Sequence, residues 1–316
     1  MTDLSNWVTA FAPASIGNVG VGFDMLGLAL GGVGDRVSAR RTKGPGISVV
    51  EVLGLDGEPH PHLSTDLEHN TASTSAQALW NDFGSDGGAE LKVRKGIPLQ
   101  SGMGSSAASA VAGAVAVNAL LDSPLEIEKL LPYALEGEKS VSGGLQADNV
   151  APSLLGGMIL CPQVLLPDTF RVPVPDGVSA VLIHPELQVD TAHSRRRLAK
   201  GYSMEQWLSQ QGYLAGFLTA CATNDIQLIG KTLKDVIIEP QRVAAVPCFD
   251  AVKEAAERGG ALGVSLSGSG PSIFALCEDN VASNIMVAME QACRGNGIEC
   301  QSWVGSMNAP GAHVED

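Results

Sequence analysis

The sequence predicts an α+β fold in two domains, and three observations carry that reading. Strand-like and helix-like segments intermingle along the chain without strict βαβα alternation. At 316 residues the chain is long enough for two domains of ordinary size. With 45% hydrophobic and 17% charged residues it can build a core for each, which excludes wholesale disorder.

The elements follow in order. A strand over 7–11 runs into a glycine-rich turn, and strands at 37–41, 47–53 and 91–94 alternate or carry β-branched residues. Ala72, Ala76, Leu79 and Phe83 recur at helical spacing and predict a helix over 69–83. Residues 105–121 read as a small-residue, fully buried helix. Ser123 followed by Pro124 reads as a cap with proline at the first helical position, opening a helix over 125–138. Short strands at 158–160 and 180–183 come next, then helices over 204–222 and 246–258. Two strands, 261–266 and 272–276, flank a Gly/Ser turn, and a helix over 280–294 leads to a last strand at 298–304. The Pro/Asp/Gly-rich stretch 162–177 is the best boundary region, dividing the chain into domains 1–160 and 161–316.

Composition also narrows function. Glycine supplies 37 residues with no G-X-Y period, so collagen is excluded and many tight turns are implied. A net charge of −14 disfavours a nucleic-acid partner, which needs a basic face. The six cysteines lie at irregular spacings with no CxxC pair, so reduced, mostly buried thiols and a cytoplasmic location are expected. The first Lys or Arg is Arg36, which supports neither a signal peptide nor an Arg-rich transit peptide. The 26 uncharged residues between Lys95 and Asp122 are too polar at their start to span a membrane, and no membrane partner is expected.

One segment stands out as chemistry: Pro98, Leu99, Gln100, Ser101, Gly102, Met103, Gly104, Ser105, Ser106, Ala107 and Ala108. Two glycines and several small hydroxyl residues precede a helix with no bulky side chain in its first turn. Glycine lets backbone approach a ligand closely, and free N–H groups at a helix start favour phosphate. The Ser105 and Ser106 hydroxyls can reach a phosphate oxygen or Mg²⁺. The same glycines also fit a turn that only permits close helix packing.

Three other motifs fail here. Gly102-Met-Gly104-Ser-Ser-Ala107 with Asp122 mimics a dinucleotide fingerprint, but Asp122 ends a helix where that unit needs a strand. Gly230-Lys231-Thr232 lacks the first P-loop glycine, since Asp225 stands there. Asp82-Phe83-Gly84 has no HRD or VAIK partner.

Four further segments offer polar groups. Asn18 and Asp24 lie in a glycine-spaced apolar run, where turn capping is the plain alternative. Glu138 precedes Asp148 and Asn149, either of which suits a helix cap. Residues 261–274 carry more glycines than an ordinary hairpin turn needs. Arg195 and Arg242 each offer a guanidinium fork for a carboxylate, or a solvated surface charge.

Taken in this order, the segments resemble the GHMP kinases over about residues 7–304. The 98–108 loop is similar to their P-x-x-x-G-L-G-S-S-A-A signature. The Asn18–Asp24 run, Asp148-Asn-Val-Ala-Pro152, Glu239-Pro-Gln-Arg242 and the 263–274 segment look most like the homoserine kinase branch. The resemblance implies a two-domain α+β GHMP-kinase fold. Its N-terminal part would be a mixed α/β domain holding the phosphate loop, and its C-terminal part a ferredoxin-like domain. It implies transfer of the γ-phosphoryl of ATP to the L-homoserine hydroxyl, and a homodimer. By that likeness the 98–108 loop wraps the ATP phosphates, and Glu138 with Ser106 holds Mg²⁺. Arg195 and Arg242 bind the substrate carboxylate, and Asn18, Asp24 and Asp148 its ammonium and hydroxyl. Asn149 stands where several other GHMP kinases carry a catalytic aspartate, and Ser106, Asp148 and Asn149 are the expected catalytic groups. Gln146 stands where a histidine is common. A GHMP kinase for a mevalonate-like alcohol, and an inactive binding protein of the same fold, are the alternatives.

Overall fold

The computed structural model describes residues 6–142 and 146–315. The chain opens with β1 (Val8–Gly17), which pairs antiparallel with the long β2 (Leu26–Thr42). β3 (Gly46–Leu53) leads to α1 (Thr71–Phe83) and then to β4 (Gly88–Arg94), which pairs with β2 and β3. α2 (Ser105–Asn118), α3 (Leu131–Ser142) and α4 (Ala147–Leu155) follow. β5 (Met158–Leu160) and β6 (Phe170–Val172) extend the sheet from the near end of β2.

The second half begins with β7 (Val178–Pro185) and four helices, α5 (Thr191–Arg196), α6 (Met204–Thr223), α7 (Ile226–Thr232) and α8 (Glu239–Arg242). Then come α9 (Phe249–Arg258), β8 (Gly263–Leu266), β9 (Ile273–Glu278), α10 (Ala282–Gly295) and β10 (Cys300–Ser306). β11 (His313–Val314) returns to the free edge of β1. The second sheet has the order β10-β7-β9-β8, with every neighbour antiparallel. Numbered within that half, its strands run 4-1-3-2 in a βαββαβ chain, the ferredoxin-like arrangement. The chain passes from the first sheet to the second between Val172 and Val178, inside the stretch 162–177.

Both faces of the second sheet are covered, and strand periodicity shows how. Val178, Ala180 and Leu182 of β7, with Phe274 and Leu276 of β9, join the large core shared with the first sheet. Val181 and Ile183, with Ile273, Ala275 and Cys277, face Phe249, Val252, Ile285 and Met289 of α9 and α10. Successive side chains of a strand point to opposite faces, so a two-sided core demands an unbroken apolar run. That is why 180–183 reads as continuously hydrophobic.

α2 is the central helix, packed on β1 and β2 and against α1 and α3. Every residue of it is buried except Ser106. A helix apolar all round is one enclosed by protein.

Several boundaries differ from the sequence reading, each for a physical reason. The strand expected at 37–41 spans Leu26–Thr42, because four glycines lower the strand signal of its first half. Gly27 is there for close approach: a Cβ on it would collide with the Asp148 carbonyl of α4. The helix expected over 125–138 starts instead at Leu131, after a single turn at Ile127–Leu130. Pro132 sits in its first turn, where a missing N–H costs nothing, so this proline and not Pro124 marks the start. α4 begins at Ala147 with Asp148 and Asn149 in its first turn, and neither acts as its cap.

The six cysteines are free thiols, five of them buried. No helix among the described residues is long and apolar enough to cross a membrane.

Candidate active site

A cavity of about 360 Å³ opens at the N-terminus of α2. Leu99, Gln100, Ser101, Gly102, Gly104, Ser105 and Ser106 line it, together with Asn70, Lys95, Glu138, Gln146, Asn149 and Gly268. Of the expected phosphate loop, Met103, Ala107 and Ala108 are instead fully buried in the core, and Pro98 lies outside the lining. Gly104 precedes the helix in a left-handed conformation (φ 67°) with no side-chain cap, so the first N–H groups of α2 face the cavity. A Cβ on Gly104 would collide with Ser15 Oγ and crowd Asn149, and one on Gly102 would meet the backbone of Ser267 and Gly270. Close packing within the protein is therefore what these two glycines serve directly, and the open helix start is what they leave for a ligand.

Ser106, the one position of α2 that is not buried, donates its hydroxyl to Glu138 Oε1 at 3.0 Å. Glu138 is 2% exposed, on α3, and both residues line the cavity.

Beneath the loop lies a group that the sequence reading missed. Lys95, buried, ion-pairs with the fully buried Asp35 of β2 and donates to Ser105 O (2.9 Å) and Ser109 Oγ (2.7 Å). Asp35 also accepts from the N–H groups of Gly96 (2.9 Å) and Ile97 (3.2 Å) and from the Ser109 hydroxyl (2.6 Å). The ammonium is thus engaged on all three donors, tying loop to helix. The only sequence signal was an isolated Lys before an uncharged run.

Beside the cavity, residues far apart in sequence converge. Asn18 and Asp24 both adopt left-handed φ (68° and 57°), a conformation that Asn and Asp tolerate better than other non-glycine residues. Asn18 Oδ1 accepts from Asp24 N–H (3.0 Å), its Nδ2 donates to Gly268 O (3.0 Å), and its N–H donates to Asp148 Oδ2 (3.2 Å). Asp24 meets Arg195 of α5 in a two-pronged ion pair, both contacts 2.7 Å. Arg242 of α8 donates Nη1 to the same Gly268 carbonyl (2.7 Å). Asn149 accepts from Ser15 Oγ (3.0 Å) and lies 3.4 Å from Asp148 Oδ1 through its amide nitrogen. All five residues expected to hold the substrate, Asn18, Asp24, Asp148, Arg195 and Arg242, therefore form one connected cluster. Gly268 and Asn149 join it to the cavity wall.

The glycine-rich turn between β8 and β9 explains its composition here. Gly268 N–H donates to Gly17 O (3.1 Å), Ser267 Oγ to Gly102 O (2.6 Å), and Ser272 N–H to Ser101 O (3.1 Å). One turn of the second sheet thus fastens β1, the phosphate loop and the arginine cluster together.

Electrostatics distinguish the charged groups. Burial, reinforced by the nearby Asp24 charge, pushes the Asp148 carboxyl up to about 7. Arg242 is 5% exposed, and burial lowers its affinity for a proton. Its Nε has no hydrogen-bond partner and it joins no ion pair among the described residues. A buried cation without a direct anionic partner is costly, and it marks a place for an anion. Arg195 differs: the Asp24 hydrogen bonds strengthen its hold on its proton, and the pair is partly exposed.

Comparison with known proteins agrees with this geometry. Residues 70–157 match the GHMP kinases N terminal domain, and residues 217–295 match the GHMP kinases C terminal domain. The chain is 40% identical to the homoserine kinase of Xanthomonas campestris pv. campestris (strain B100), covering 96% of this chain and 93% of that protein. It is 37% identical to that of Chloroherpeton thalassium, covering 97% and 99%. The crystal structure of homoserine kinase from Cytophaga hutchinsonii superposes with a TM-score of 0.94 at 40% identity, covering 100% of this chain and 99% of that one. Mevalonate kinase of L. major, at 15% identity and TM-score 0.70, shares the fold. With both halves matched and the likeness running nearly end to end, the chain belongs to the GHMP kinases, in the homoserine kinase family.

Proposed function

We propose that this protein transfers the γ-phosphoryl group of ATP to the side-chain hydroxyl of L-homoserine, giving O-phospho-L-homoserine. The observation that carries the reading is the junction of two unlike sites. An uncapped helix start facing a cavity adjoins a cluster holding both a buried arginine and two carboxylates. The first suits phosphates and the second suits a zwitterion.

ATP would lie in the cavity, its phosphates against the N–H groups of Ser105 and Ser106 and its base toward the apolar wall of Leu63, Val93 and Leu99. Mg²⁺ fits the Ser106 and Glu138 pair, because this hard cation takes oxygen ligands and completes its shell with phosphates and water. When bound, it neutralises charge that develops on the transferred phosphoryl group.

The amino-acid end follows from the donor set. Among the described residues Nη1 is the one nitrogen of Arg242 with a hydrogen-bond partner, which leaves Nη2 to donate to a substrate carboxylate. Asp24 and Asp148 face the ammonium. The half-exposed Asp24–Arg195 pair, with side chains 36% and 46% exposed, costs little to open when the substrate brings matching charges. Asn149 cannot take a proton at neutral pH, so it orients the hydroxyl, and catalysis rests on positioning and charge stabilisation. A mevalonate-like acid would leave Asp24 and Asp148 without a cation.

Product identification tests this. The protein, incubated with ATP, Mg²⁺ and L-homoserine, should give a phosphomonoester on the side-chain oxygen by ³¹P NMR. Phosphate released only as the inorganic ion would contradict the proposal.

A further inference from the structure

Phe23 immediately precedes Asp24 in the turn that meets both arginines. The Arg195 guanidinium carbon lies over its ring at 5.6 Å from the centroid, and that of Arg242 at 5.2 Å. We infer that Phe23 is the positioning residue of the substrate-carboxylate site, holding the two guanidinium groups at the spacing and tilt that receive one carboxylate. This rests on the homoserine reading above.

Two like charges brought this close repel, and Arg195 adds to the loss of proton affinity at Arg242. Asp24 ion-pairs with Arg195 and its charge also favours the proton on Arg242, but it makes no hydrogen bond to that second guanidinium. The negative face of an aromatic ring attracts both. At Arg242 a ring contact leaves in-plane N–H groups free, whereas at Arg195 the Asp24 carboxylate takes up both Nη atoms. The remaining contacts complete the placement. Arg242 is anchored by Nη1 at Gly268 O, Arg195 by both Nη atoms at Asp24, and both guanidinium carbons lie over the one Phe23 ring. Leucine offers similar bulk without the ring's electrostatic face. Tyrosine and tryptophan keep the face.

Steady-state kinetics on Phe23→Leu and Phe23→Tyr, with L-homoserine and with its carboxyl ester, test the assignment. The loss of two such contacts should raise the homoserine KM of Phe23→Leu about tenfold, with a smaller fall in kcat. The ester, lacking the carboxylate, should show little change in KM, and the ATP KM should hold. Phe23→Tyr should stay within about twofold of wild type. Equal losses for Leu and Tyr, or equal losses for homoserine and the ester, would overturn the inference and leave Phe23 a packing residue. Failure of the underlying reading looks different: wild-type protein itself would not turn over homoserine.

Discussion

At the residue scale, the charged cluster divides one substrate between two kinds of group, and single substitutions should separate them. A hydrogen bond to a charged group is worth about 1.5–3 kcal/mol, so removing one clamp should lower kcat/KM roughly 10- to 150-fold. Asp24→Asn should therefore hurt homoserine more than an analogue without the amino group, which loses only the Arg195 anchor. Arg242→Leu should hurt homoserine but spare its carboxyl ester. A misfolded variant would lose every acceptor alike, so the crossed pattern reads recognition. Asp148 adds a pH signature. Its carboxyl is held up to about 7 in the folded protein against the ordinary 3.8, so the folded state carries an extra proton between those values. Stability from this group is full below about pH 4 and is lost as pH rises through 7. Asp148→Asn should remove that loss, which thermal unfolding at pH 5 and pH 8 would show as a smaller fall than in wild type. An ammonium bound beside the ionised carboxylate would favour its charged form, so homoserine KM should fall as pH rises through 7 in wild type and not in the variant. The convergence of Asn18 with Gly268, 250 residues away, was not derivable from spacing. It was legible only because the motifs resemble a family, whereas the Asn and Asp at left-handed turn positions follow from their own conformational tolerance.

At the element scale, α2 decides the phosphate end. Small residues let it be buried on every side, and its sequence showed this directly. What it did not show was the Lys95–Asp35 brace, because Asp35 lies in the glycine-diluted half of β2, where no strand was read. Removing one partner of a buried ion pair leaves an uncompensated charge and costs about 3–5 kcal/mol. Lys95→Met should show that loss in urea unfolding, and Asp35→Leu, which also strips Gly96, Ile97 and Ser109 of their acceptor, should lose at least as much. α3 places Glu138 opposite Ser106, although its start was misplaced by a competing proline. Glu138→Gln should shift the Mg²⁺ dependence of turnover to higher concentration while changing homoserine KM little. Identical Mg²⁺ titrations for variant and wild type would leave Glu138 as a partner of Ser106 only.

At the scale of the whole molecule, neither sheet holds the site alone. The first supplies β1, the phosphate loop, α3 and α4, and the half built on the second supplies Arg195, Arg242 and the Gly268 turn. The α+β class was legible from the mixture of periods along the chain, whereas the 4-1-3-2 strand order depends on long-range pairing and was foreseen only through the ferredoxin-like domain that the family resemblance implied. A reaction that needs all these pieces at once is the strictest check on them. The deciding measurement is the initial rate of ADP release over a panel of acceptors: L-homoserine, mevalonate, and homoserine analogues lacking either the amino group or the free carboxylate. The account predicts the highest kcat/KM for L-homoserine, with a fall of about tenfold or more when either charge is removed. Equal or faster turnover of mevalonate, or analogues that react as well as homoserine, would contradict it.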